Sequence, residues 1–189
     1  IKGTEDEANP RIVAGDLRIS GHLATSGHVY LDMRLPSRTY YTYTGTLTVA
    51  DGTLKLKTST MYFFNGARVT VTAGASLRMA AFLLLEGAST LDLHGALDVD
   101  QYSLFVDNAT SNLYAGASVI GTGSVVWKEN GERHLNVIST ENDVATTVDI
   151  APTVKLGGGA QLHVAIADGV TLNANGGLSS QTTTTTTEG

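Results

Sequence analysis

The feature that most constrains this chain is an internal repeat of about 21 residues through its middle. Blocks beginning at Gly45, Gly66, Gly87 and Asn108 start 21 residues apart and read GTLTVADGTLKLKTSTMYFFN, GARVTVTAGASLRMAAFLLLE, GASTLDLHGALDVDQYSLFVD and NATSNLYAGASVIGTGSVVWK. Each holds three short apolar stretches separated by small or polar residues. In the first two stretches apolar residues alternate with others, as in Leu47 and Val49, Val69 and Val71, or Leu91 and Leu93, which is the period of a half-buried strand and not of a helix. One such segment cannot bury its own apolar face. A repeat of this length therefore demands neighbours stacked at the ~4.8 Å spacing of hydrogen-bonded strands. The expected fold is all-β: a right-handed parallel β-solenoid with coils of about 21 residues, its hand taken from the chirality preference of parallel crossovers.

The pairs Gly74-Ala75, Gly95-Ala96 and Gly116-Ala117 recur at one block position, where a corner needs positive φ or close backbone approach. Leu77, Leu97 and Val119 are separated by 20 and then 22 residues, so individual coils gain or lose a corner residue. Weaker coil signals on both sides extend the expected solenoid to residues 11–178, with a turn excursion or capping irregularity in the polar stretch Asn130 to Asn142. Residues 1–10 are charged, contain proline and read as a flexible arm. Residues 179–189 carry a threonine tract and read as a linker.

Composition narrows the function classes. The formal charge of −6 argues against a general nucleic-acid binder, which concentrates Lys and Arg on one face. The absence of cysteine excludes disulfides, thiolate metal sites and cysteine nucleophiles. No apolar run approaches the ~20 residues of a spanning helix, so membrane insertion is not expected.

The Gly-Ala corners, alternating strands, low aromatic content and missing cysteines resemble the β-helical passengers of autotransporters and other right-handed parallel β-helix surface adhesins. The resemblance covers about three quarters of the chain and specifies architecture, not activity. It implies secretion, an extracellular or cell-surface location, and a role in attachment or display. No catalytic motif of the family is matched, so the expectation is a non-enzymatic structural or adhesive module. Its expected partners are copies of itself, neighbouring domains of a longer protein or fibre, and cell-surface glycan. The alternative is a carbohydrate-binding or polysaccharide-cleaving β-helix of the tailspike or lyase type.

Three groups of residues could carry binding or chemistry. In the third stretch of each block every position is apolar, which predicts an outer stripe that serves as an interface, formed by Tyr62, Phe64, Leu83, Leu85, Leu104, Val106, Val125 and Trp127. The alternative is a bulge that turns all of these residues inward. Glu86 and Asp107 share a column with Asn65 and Lys128 and would lie roughly 5 Å apart on adjacent coils, close enough to engage a sugar or calcium ion. Asp98 and Asp100, one residue apart, point to one face and form a second candidate ligand pair. The bland reading of both pairs is a solvated turn ladder, partly neutralised in the first case by Lys128.

The five histidines, His22, His28, His94, His134 and His163, show no HExxH spacing. Neither a GxSxG elbow nor a P-loop is present. No cofactor, metal ligand or catalytic residue is therefore assigned. A flat threonine array from Thr46, Thr48, Thr70 and Thr72 is broken in the next block by Asp92.

Overall fold

Alternation along a short strand sends one set of side chains to a shared interior and the other to solvent. The computed structural model describes residues 11–13, 22–25, 28–32, 40–43, 45–57, 60–63, 66–128, 131–140 and 147–180. The arm at 1–10 and the threonine tract at 181–189 lie outside the described residues.

The strands form three sheets. The first contains His22–Thr25, Thr46–Val49, Arg68–Val71, Thr90–Leu93, Thr110–Tyr114, Gly131–Ile138 and Ala160–Ile166. The second contains Arg11–Val13, His28–Asp32, Thr53–Lys57, Ser76–Met79, Ala96–Asp98, Ser118–Ile120, Thr147–Ile150 and Thr171–Ala174. The third contains Tyr40–Tyr43, Thr60–Phe63, Leu83–Glu86, Ser103–Asp107, Ser124–Trp127, Thr153–Leu156 and Leu178–Ser180. Pairing is parallel in each sheet, as in Leu91 opposite Val69, Leu97 opposite Leu77 and Leu104 opposite Leu83. From Thr46 onward the chain visits the first, second and third sheets in turn, so the expected all-β parallel solenoid is the fold observed. Paired positions lie 22 residues apart from Leu47 to Val69 and from Val69 to Leu91, 20 from Leu91 to Ser111, and 21 from Leu83 to Leu104.

The interior is built from columns of like side chains. Leu54, Leu77, Leu97, Val119 and Ile150 line the second sheet, and Val49, Val71, Leu93, Leu113 and Val137 line the first, all of them buried. Each buried aliphatic side chain contributes about 1.5–3 kcal/mol relative to exposure, but only when the coils above and below are in place.

The expected outer stripe is overturned by burial. Leu83, Leu85, Leu104, Val106, Val125 and Trp127 face the interior, none more than 3% exposed. The middle column, Leu84, Phe105 and Val126, alternates with them and faces outward. In the first block the frame also shifts: 22 residues separate Phe63 from its partner Leu85, so Phe63 belongs with the interior column and Tyr62 is in register with Leu84. The side chain of Tyr62 and all of Phe64 lie outside the described residues. The stretch expected as a turn excursion contains the eight-residue strand Gly131–Ile138, whose Leu135 and Val137 continue two core columns of the first sheet. Its polarity is that of the outward positions His134 and Asn136.

The corners use both properties expected of glycine. A Cβ on Gly95 would lie 2.2 Å from the Ala75 carbonyl oxygen and 2.4 Å from that of Thr72, whereas one on Gly66 would meet nothing but sits at φ +79°. Gly95→Ala must push coils apart and is expected to lower stability by about 3 kcal/mol or more, an overpacking cost at the upper end of the usual range. Gly66→Ala should cost only the backbone term, about 1–2 kcal/mol. Thermal unfolding of the two variants checks the order, and equal losses would contradict the packing at Gly95.

Candidate functional site

Of the four carboxylates singled out from the sequence, Glu86 and Asp107 end strands of the third sheet, whereas Asp98 and Asp100 lie at the end of a strand of the second sheet and in the corner after it. Glu86 and Asp107 are register partners on adjacent coils, as expected. Asp98 closes a strand of the second sheet, and Asp100 follows in the corner that leads into Ser103–Asp107. The two pairs therefore flank the third sheet at opposite ends of one strand. They do not converge on a common point.

Each pair meets an arginine that sequence reasoning did not single out. Arg133 Nη2 donates to Asp107 Oδ1 at 2.8 Å, with the arginine side chain 4% and the aspartate 29% exposed. The geometry follows from the corner between the third and first sheets, where Ala67, Ser89 and Ala109 are buried small residues. Arg133 immediately precedes His134, the partner of Thr110, so it occupies the position that Ala109 holds one coil earlier, and its guanidinium reaches back to that coil's carboxylate. Lys128, expected as the neutralising partner, instead places Nζ 5.9 Å from the centroid of the Phe105 ring, within cation–π reach. At the other end Arg78 Nε lies 3.3 Å from Asp98 Oδ2 and Nη2 lies 3.6 Å from Asp100 Oδ2. The Asp100 backbone N–H donates to Asp98 Oδ1 at 2.8 Å, and Asp100 adopts φ +52°, which an aspartate tolerates in a turn. This pair is a turn held by side-chain hydrogen bonding and an ion pair. Among the described residues no group of three or more His, Cys, Asp or Glu could hold a metal ion.

Between the two ends lies an aromatic cluster. Phe82 is 47% exposed. Its ring stands edge-on to Tyr102 at 6.1 Å and tilted against Phe105 at 5.9 Å between centroids. Leu84 faces outward beside it yet is 4% exposed, so the patch is a packed surface. Lys128 places its ammonium over Phe105 at one edge, and the Ser103 and Ser124 hydroxyls pair at 2.8 Å on the same sheet. Such a surface combines flat apolar rings with hydrogen-bond acceptors and a cation.

The first sheet carries a different face. Asn136 Nδ2 donates to Asn112 Oδ1 at 2.8 Å, Asn112 Nδ2 donates to Asp92 Oδ1 at 2.8 Å, and Arg68 Nε donates to Asp92 Oδ2 at 2.5 Å. Asp92 breaks the threonine column as expected, opposite Thr70 and Thr48 in turn. The hydrogen bond to Asp92, then its charge, holds Arg68 above its ordinary pKa range against the opposing effect of burial. His94 stacks on Tyr114 with ring centroids 3.7 Å apart, and His134 on His163 at 5.5 Å. Desolvation pushes the His94 pKa below its usual 6.5, with Asp92 working the other way.

Comparison of the chain with protein-family models, with curated proteins and with solved structures returns no match.

Two predictions follow from these contacts. Asp107→Ala leaves a buried guanidinium without this carboxylate and is expected to cost about 2–3 kcal/mol, below the range for fully buried pairs because Asp107 is partly solvated; Asp107→Ala combined with Arg133→Met should recover part of the loss. Chemical denaturation of the three proteins measures it, and a double variant no more stable than Asp107→Ala would contradict the pairing. For His94 the fold favours the neutral ring, so the unfolded chain takes up the proton first as pH falls through about 6.5, and stability declines until the folded-state pKa is passed. His94→Gln should flatten the fall in melting temperature between pH 7.5 and 5.

Proposed function

We propose that this chain is a non-enzymatic, extracellular structural or adhesive module, a rigid ribbed rod that presents the aromatic face of its third sheet to a partner surface. The observation that carries this reading is the fate of the carboxylates. A glycosidase-type site needs two carboxyl groups facing one substrate across a cleft; Glu86 and Asp107 are neighbours on adjacent coils, but Asp107 is bound to Arg133, and Asp98 and Asp100 are bound to Arg78. These ion pairs suit a scaffold. The resemblance to autotransporter passengers and adhesins supports the same role and the surface location.

A carbohydrate-binding reading draws on one specific observation: the exposed Phe82 ring packs with Tyr102 and Phe105 beside a sheet face whose last outward residue is Glu86. Within the adhesive role, that cluster is where a cell-surface glycan would dock, its apolar ring faces on the aromatic side chains and its hydroxyls on Glu86. A glycan array read alongside a reducing-end release assay tests both readings. Binding without release is expected, and Phe82→Ala should weaken binding at least tenfold while leaving the melting temperature within a few degrees. Release of reducing ends would overturn the non-enzymatic assignment. Binding unaffected by Phe82→Ala would remove the aromatic face from the account.

A further inference from the structure

Three arginines are held by acids one coil away: Arg68 by Asp92, Arg78 by Asp98 and Asp100, and Arg133 by Asp107. Lys128 and Lys155 differ, since among the described residues neither ammonium enters an ion pair. Both stand on the outer face of the third sheet. Lys155 is exposed beside the inward Val154 and is in register with Val126, itself the partner of Phe105. Lys128 follows the inward Trp127, and its backbone N–H donates to the Val106 carbonyl at 3.0 Å, so it continues the column of Glu86 and Asp107. Its Nζ lies 5.9 Å from the centroid of the Phe105 ring. With ~4.8 Å between strands and ~3.3 Å per residue, the two lysine Cα atoms are about 8 Å apart, and each is within about 10 Å of that of Phe105.

Along the solenoid axis this face therefore grades from rings to cations, with Phe82, Leu84 and Phe105 on one side and Val126, Lys128 and Lys155 on the other. The chain as a whole carries a formal charge of −6, so the positive field here is local and favours negative charge in whatever meets the rings. A sugar with a carboxylate satisfies both demands, offering an apolar ring face to Phe82 and Phe105 and an anion to the two ammoniums. The acids on this sheet limit how many anions it accepts. Its strands carry Glu86 and Asp107; Arg133 holds Asp107, while Glu86 lies two coils, about 10 Å, from Lys128 along the column. A glycan sulfated on every sugar would set negative charge against Glu86. One that alternates a neutral sugar with a hexuronic acid can place its neutral ring there and its carboxylate at the lysines.

We propose that the outer face of the third sheet recognises an unsulfated acidic glycan in which a hexuronic acid neighbours a neutral sugar, the neutral ring lying on Phe82 and Phe105 and the carboxylate between Lys128 and Lys155. This rests on the glycan-docking reading above and adds to it the charge of the ligand. Titration calorimetry of the full chain tests it with unsulfated hyaluronan and chondroitin oligosaccharides, the same oligosaccharides with their carboxyl groups reduced to alcohols, and heparin. Carboxyl reduction is expected to weaken binding at least tenfold, as is the Lys128→Gln, Lys155→Gln double variant, with the melting temperature of that variant within a few degrees of the parent. Raising the salt to about 1 M should weaken the acidic oligosaccharides and spare any residual binding of the reduced ones. Lys55→Gln, on the second sheet, serves as the control and should leave binding unchanged. Equal affinity for acidic and reduced oligosaccharides, both lost in Phe82→Ala, would overturn the carboxylate assignment and leave the aromatic docking face standing. Tighter binding of heparin than of the unsulfated probes would also overturn it. Binding of none of the probes would remove the glycan reading itself, and this inference with it.

Discussion

Everything in this molecule depends on coil-on-coil registration of parallel strands. A single turn of chain has three strands of about four residues, none able to satisfy its own backbone groups or hide its own aliphatic side chains. The turn above and the turn below do both jobs at once. The same geometry places like residues on like, so the core is a set of columns, Leu54 to Ile150 or Val49 to Val137, and not a collection of unrelated contacts. Aliphatic side chains, leucine above all, do most of the filling because each needs to fill only the spacing between neighbouring strands.

Stacking like on like also brings like charges together. The molecule handles this at five described aspartates by setting an arginine or an amide one coil away: Arg68 and Asn112 about Asp92, Arg78 about Asp98 and Asp100, Arg133 about Asp107, and Asn173 donating to Asp149 at 2.9 Å. These contacts run along the axis, parallel to the backbone hydrogen bonds. They pin the register of each coil on the next, since a slip of one residue would separate every such pair and turn each strand's apolar side chains outward.

The fold was legible because alternation and repeat length are properties of the sequence alone. The first two stretches of each block, and the Gly-Ala corners, fall where the period puts them. The third stretch was misassigned, because where all positions are apolar nothing in the pattern says which column faces in. In the first block the register is lost as well, because a fixed frame of 21 residues slips by one between Phe63 and Leu85. The same rigidity concealed a counter-ion. Arg78 lies 20 residues before Asp98, the spacing already visible between Leu77 and Leu97, and reading Arg78 in that frame would have found the pair. Arg133 gave less to go on. It stands at a corner where earlier coils have alanine or serine, and 26 residues separate it from Asp107.

The orientation of the backbone hydrogen bonds has a mechanical consequence. They lie along the rod, so a tensile force applied to its ends loads the bonds of all three sheets together at each coil boundary. A boundary that yields would release one coil as slack chain, about 22 residues between Leu47 and Val69, or roughly 70–80 Å when fully extended. Such a rod is expected to give way in discrete steps and to dissipate work at each one.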